Sequence, residues 1–243
     1  MTRLCFRPYL NKIIGRTVFS SNLHIAVSDI IVHYMAAWSN NVINRFKAVP
    51  DNPRENDFYA PYNKLLSILF PADSQYTVAP QANPYNNSKE SVDFIIEFHV
   101  LYDDVPVFVV EVKAPSAFVY PSTREEADVQ IRSRLRDLVG QCPLSKLHGV
   151  SAIGTKLCFY SAHQTQNSLA IEPQRIPADP QLTTDTAPQS RWDVDVLEDG
   201  GVVRLREVVD AIKGECEARY GELATCLKVH LTQPIFNLGG QQV

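Results

Sequence analysis

Asp93 and, eighteen positions later, Glu111-Val112-Lys113 stand inside two consecutive strand-like runs, Ser91 to Val100 and Val105 to Ala114. Strand interiors are depleted in Asp, Glu and Lys, and a charge withdrawn from water is costly unless a partner or a metal offsets it. Two carboxylates and an ammonium in the middle of a sheet therefore ask for a purpose. A hairpin pairing Val92 to Val100 antiparallel with Pro106 to Lys113, around a turn centred on Asp103, sets Asp93 opposite Lys113 and Ile95 opposite Glu111. Period-two alternation then places Asp93, Ile95, Val109, Glu111 and Lys113 on one face. Asp93 and Glu111 become diagonal neighbours at about 7–8 Å, which two carboxylates can close onto one cation. A slip of one residue would send Asp93 to the other face.

The rest of the chain bounds the setting. A length of 243 residues favours one sizeable core with decorations. The balance of 45% hydrophobic and 21% charged residues is that of an ordinary globular protein. No apolar run approaches the roughly 18 residues that span a bilayer, so no membrane partner is expected. A net charge of -4 argues against a protein that coats nucleic acid non-specifically, although a local basic strip is compatible with it. The five cysteines are scattered and never form a C-x-x-C pair, which points to a reducing, intracellular setting, nuclear or cytoplasmic. The first 28 residues carry Arg3, Arg7, Lys12 and Arg16 and no acid, a composition shared by a mitochondrial transit peptide and by a plain basic tail.

Apolar periodicity predicts a helix from Asp29 to about Phe46 and a second from Pro61 to Leu69, stopped by Pro71. Strands follow near Gln75 to Ala79 and then as the two charged runs. The near-continuous Val and Phe of Val105 to Val112 read as a central strand covered on both faces. A helix over Arg124 to Val139 comes next, followed by strands over Leu147 to Ile153 and Lys156 to Ser161. A Pro-rich surface excursion runs from His163 to Ser190. Trp192 to Leu197 reads as a last strand, Glu198 to Gly201 as a turn and Val202 to Tyr220 as a closing helix. Three parts result: a basic segment and helix over 1–50, a core over 51–220 and a tail over 221–243. The fold class is α/β to α+β, a central mixed sheet flanked by helices.

That element order, with Asp93 on one strand and Glu111-x-Lys113 on the next, resembles the PD-(D/E)XK, or restriction-endonuclease-like, nuclease superfamily. More narrowly, Glu55-Asn56-Asp57-Phe58-Tyr59, Ile95 to Lys113, Pro143-Leu144 and Leu147 to Gly154 look like a family of uncharacterised basidiomycete fungal proteins. The similarity covers about residues 52–218, and it departs from the superfamily pattern in having Val92 where Pro often precedes the Asp. The resemblance implies that Asp93 and Glu111, with the Val112 carbonyl, hold Mg²⁺ or Mn²⁺. It makes Lys113 the catalytic cation, Glu55 a further acidic site residue and Gln130 a helix-borne one.

The chemistry implied is hydrolysis of phosphodiesters in DNA, with RNA as the alternative, in a chain that can pair as a homodimer to cut two strands. A hard dication suits such an oxygen-rich open site. Arg132 and Arg136, one helical turn apart, are candidates to follow a phosphate backbone, while surface pairing with Glu125, Glu126, Asp128 and Asp137 is the duller account. The rival function is a catalytically inactive, nuclease-derived binding module, in which Asp93, Glu111 and Lys113 form only an ion-pair cluster. A nucleophile elbow, a Walker loop and a histidine metal site are all absent from the sequence.

Overall fold

The computed structural model describes residues 37–80, 94–100, 103–165, 168–179, 181 and 184–231. The chain divides into Met1–Ala37 and Trp38–Val243, and the described helices and strands all belong to the second unit. Its helices are α1 (Asn40–Lys47), α2 (Tyr59–Leu69), α3 (Pro121–Leu138) and α4 (Asp199–Leu231). Its strands are β1 (Tyr76–Pro80), β2 (Phe94–Val100), β3 (Asp103–Lys113), β4 (Leu147–Ile153), β5 (Lys156–Gln164), β6 (Leu169–Glu172) and β7 (Val194–Asp195). The sheet runs β1-β2-β3-β4-β5-β6, and β7 pairs with β5 beside β6. Only the central pair, β3 with β4, is parallel, because α3 carries the chain back between them; the other pairings are antiparallel. The sheet is thus mixed and flanked by helices, as the element order implies.

β3 is central and apolar because helices cover both of its faces. Phe108, Val110 and Val112 enter one cluster with Trp38, Val42 and Phe46 from the α1 side, Tyr62, Leu65 and Leu66 of α2, and Val202, Leu205 and Val209 of α4. Val109 enters the other, with Ala127, Ile131 and Leu135 of α3 and Trp192. Helix α1 therefore belongs to the core and not to a separate N-terminal part, and the Trp38 indole N–H is anchored on the Val196 carbonyl at 2.6 Å. α3 approaches β4 closely over Gly149, where a Cβ would stand 3.1 Å from Ile131 and Leu135 side-chain carbons. At the β4–β5 turn Gly154 takes φ +62°, a conformation that glycine adopts without steric cost. Its carbonyl accepts the buried Tyr62 hydroxyl at 2.8 Å, and its N–H donates to Lys113 O at 2.8 Å.

Several elements differ from the sequence reading. The expected helix over Asp29 to Phe46 is described only from Asn40, and residues 37–39 are not helical. Its earlier part lies outside the described residues. The β2–β3 turn is tighter than one centred on Asp103: Val100 pairs with Asp103, and a shift in register falls between Ile96 and Glu97. Ile95 consequently faces Val109 and not Glu111. The displacement from the expected register is two residues over Phe94–Ile96 and three over Glu97–Val100. α3 starts three residues early because Pro121 suits a first helical turn. The Pro-rich excursion contains β6, β7 is only two residues long, and α4 begins at Asp199 where a turn was expected and continues to Leu231.

Candidate functional site at the end of the central strand

Lys113 closes β3, and Glu111 precedes it by one pleat on the same side. Glu111 is buried, at 5% exposure, because its face of the strand is covered by α3. A carboxylate in such a place needs a charged partner. Arg134 of α3 supplies it, donating from Nε to Glu111 Oε1 at 3.0 Å. The ammonium of Lys113 turns instead to an element 58 residues earlier, where Nζ lies 3.2 Å from Glu55 Oε2. Glu55 opens a 3-10 turn, Glu55–Phe58, that leads into α2. The turn is held by Arg54 N–H donating to Asp57 Oδ2 at 2.7 Å, and Tyr59 OH donates to Glu55 Oε1 at 3.1 Å. The side chains of Lys113 and Glu55 are 20% and 38% exposed, so this end of β3 is reachable from solvent, whereas Glu111, two residues back, is buried.

Gln130 stands one helical turn before Arg134 on α3, hence on the same side of that helix. Its Oε1 is buried and has no hydrogen-bond partner among the described residues. A buried acceptor of that kind points to a donor such as bound water. Val112 is fully buried in the core between the two charged residues. Asp93 lies outside the described residues. Among the described residues no group of three His, Cys, Asp or Glu is assembled that could hold a metal.

The arginine pair expected to track phosphates is corrected. Arg132 is buried, with Nε and Nη2 donating to Asp128 at 2.7 and 3.1 Å and Nη2 also reaching the Pro173 carbonyl at 2.7 Å. Arg191 and the Tyr160 hydroxyl converge on the same Asp128 carboxylate. Burial and the neighbouring Cys158 and Asp128 drive the Tyr160 pKa far above its ordinary value, and burial pushes the Cys158 thiol up to about 11. Arg136 is exposed, so the two arginines form no common strip. Arg134, two residues from each of them, is the one that donates to Glu111. The buried stripe Ala127, Ile131, Leu135 and Leu138 was the available signal, since Arg134 adjoins it.

A cleft of about 860 Å³ lies elsewhere, along the outer edge of β5 between β6 and β7. It is lined by His148, Tyr160, Arg191 and Arg204 among others, with Glu172, Asp193 and Glu207 balancing their charge, and it includes none of Glu55, Glu111 or Lys113. Among the described residues no helix is long and apolar enough to cross a membrane.

The class that these elements define is a mixed α/β sheet with a carboxylate–lysine pair at the end of its central strand. Comparison with protein-family models and with curated proteins gives no match. Among solved structures the chain is similar to the type IIG restriction endonuclease BpuSI, with a TM-score of 0.39 and 14% sequence identity. The similarity covers 68% of this chain and 18% of that one, so the chain spans less than a fifth of that protein's length.

Proposed function

We propose that this protein is a metal-dependent phosphodiesterase of restriction-endonuclease-like fold that hydrolyses DNA, with RNA as the alternative substrate. The observation that carries the reading is the arrival of Glu55, from far away in sequence, on the partly exposed Lys113 ammonium, two residues along β3 from the buried Glu111. An ion pair that served packing alone would gain little at such exposure.

The residues fit a hard dication in kind: carboxylate oxygens, a strand carbonyl and, in Gln130 Oε1, an acceptor lacking a donor. Glu111, Asp93 and the Val112 carbonyl would hold Mg²⁺ or Mn²⁺. Asp93 is the residue before Phe94, and Phe94 pairs with Val110, the residue before Glu111. When bound, the metal supplies an acidified water and neutralises charge on the phosphate. Lys113, kept in place by Glu55, presents a positive charge where the phosphate gains negative charge. Gln130 Oε1 would accept a hydrogen bond from the attacking water and limit its orientations. Two copies of the chain would set two such sites against two strands.

Cleavage of plasmid and end-labelled oligonucleotides by the full chain, with Mg²⁺ or Mn²⁺, tests this. Asp93→Ala, Glu111→Ala and Lys113→Ala are each expected to lower the rate by about a hundredfold or more. Lack of cleavage by the wild-type protein with both metals overturns the enzymatic reading.

The inactive binding module is favoured by one observation, the guanidinium of Arg134 on Glu111, which neutralises this carboxylate without a metal. Titration of the wild-type protein with Mn²⁺, followed calorimetrically or by electron paramagnetic resonance, separates the readings. Saturable binding lost in Glu111→Ala supports the enzyme, and no binding supports the module.

A further inference from the structure

Directly after Lys113 the chain makes a 3-10 turn, Pro115–Phe118, and then presents Val119 and Tyr120 to solvent at 59% and 64% exposure. These are the most exposed large hydrophobic side chains among the described residues. Their backbone, by contrast, is clamped. The buried Arg124 donates from Nη1 to the carbonyls of Phe118 and Val119 at 2.9 and 3.2 Å, and from Nε to Ala187 O at 2.8 Å. Its Nη2 pairs with Asp185 at 2.6 Å. Thr123 Oγ1 donates to Ala117 O at 2.7 Å and stands 2.9 Å from Tyr120 O, and Gln189 Nε2 donates to Phe118 O at 3.3 Å. The segment is therefore pre-organised, and its apolar tips point outward at a cost in exposed surface that folding would otherwise avoid.

The location says what the tips meet. Six residues separate Tyr120 from Lys113, four of them in the 3-10 turn, so the two backbones lie within about 20 Å. That distance is a few nucleotides of a strand running past Lys113. A flat ring with an aliphatic neighbour, fixed at low entropy cost, matches the π-face of a base, and stacking of this kind tolerates any base identity.

We propose that Tyr120, flanked by Val119, is a positioning residue that stacks on an unpaired nucleobase of the strand whose phosphate Lys113 faces. This rests on the phosphodiesterase reading for its substrate class. It does not rest on turnover.

The test is binding of the full chain to a single-stranded oligonucleotide carrying 2-aminopurine, in EDTA so that nothing is cut, read by anisotropy and by quenching of the base analogue. Tyr120→Ala is expected to weaken binding about tenfold and abolish the quenching, in line with the loss of one stacked base. Tyr120→Phe restores both, and Ile68→Ala, which trims an exposed apolar side chain on α2, changes neither. Equal affinity and quenching for Tyr120→Ala and wild type overturn the stacking proposal while leaving cleavage untouched. Binding and quenching that depend on Tyr120, in a protein that cuts nothing with Mg²⁺ or Mn²⁺, support stacking and overturn the enzyme. Absence of any binding by the wild type overturns the stacking proposal.

Discussion

Two charged clusters flank α3, and they are built to opposite ends. Around Asp128 four donors converge, two from Arg132 and one each from Arg191 and Tyr160, which fills the capacity of a carboxylate. Arg132 and Arg191 also reach the carbonyls of Pro173 and Gln174, so the cluster ties the Pro-rich excursion to the helix. At the end of β3, Lys113 and Glu55 meet with part of both side chains still in solvent. A closed, saturated cluster specifies a structure, whereas charges at the end of a strand that keep part of their surface in water specify less of it.

The contrast breaks first if Asp128 proves dispensable. Asp128→Ala leaves two buried guanidinium groups without their carboxylate, a loss of about 3–5 kcal/mol. In a chain of this size that is a fall in Tm of about 10 °C, to be read from thermal unfolding. A smaller loss, about 2–3 kcal/mol, is expected for Arg124→Ala, which releases charged hydrogen bonds to three carbonyls and Asp185. Limited proteolysis should then cut faster between Pro173 and Ser190, and unchanged cutting would show that the clamp does not order the excursion.

Glu55→Gln sharpens the contrast from the open side. Its pair with Lys113 is partly exposed, so Tm should move by no more than about 2 °C. Cleavage should nevertheless fall about tenfold, through loss of charge placement by Lys113. The smallest effect concerns His148, whose pKa burial depresses below its ordinary value. The unfolded chain then binds the proton first as pH falls, so stability present above about 6.5 declines toward the lower folded pKa. His148→Gln should remove that part of the slope in denaturant titrations between neutral and mildly acidic pH.

β3 was nearly legible because a run of Val and Phe bounded by turns has few other uses, and β4 was legible to the residue because Gly154-Thr155 ends it before the next strand. That Glu111 and Lys113 share a side of β3 was also legible, since residues two apart on one strand do so whatever the strand pairs with. The pairing itself was not. It depends on where the chain between Val100 and Asp103 turns and on an irregularity between Ile96 and Glu97, neither of which has a strong local signature. Arg132 and Arg134 show the same limit. Spacing alone assigned Arg132 outward, and burial reversed it, since α3 is covered by the sheet on one side and by the excursion near Pro173 on another.

The sequence by itself determined most of the elements, their order, the mixed sheet and the placing of an acid and a lysine two residues apart on a central strand. These follow from local periodicity and from the few ways such elements pack. Tertiary structure alone decided that Arg134 neutralises Glu111, that Glu55 comes back to Lys113, and that Asp128 closes on Arg132 and Arg191. Each is a meeting of side chains from distant segments, and its free energy depends on solvent access and distance, quantities that exist only once the chain has folded.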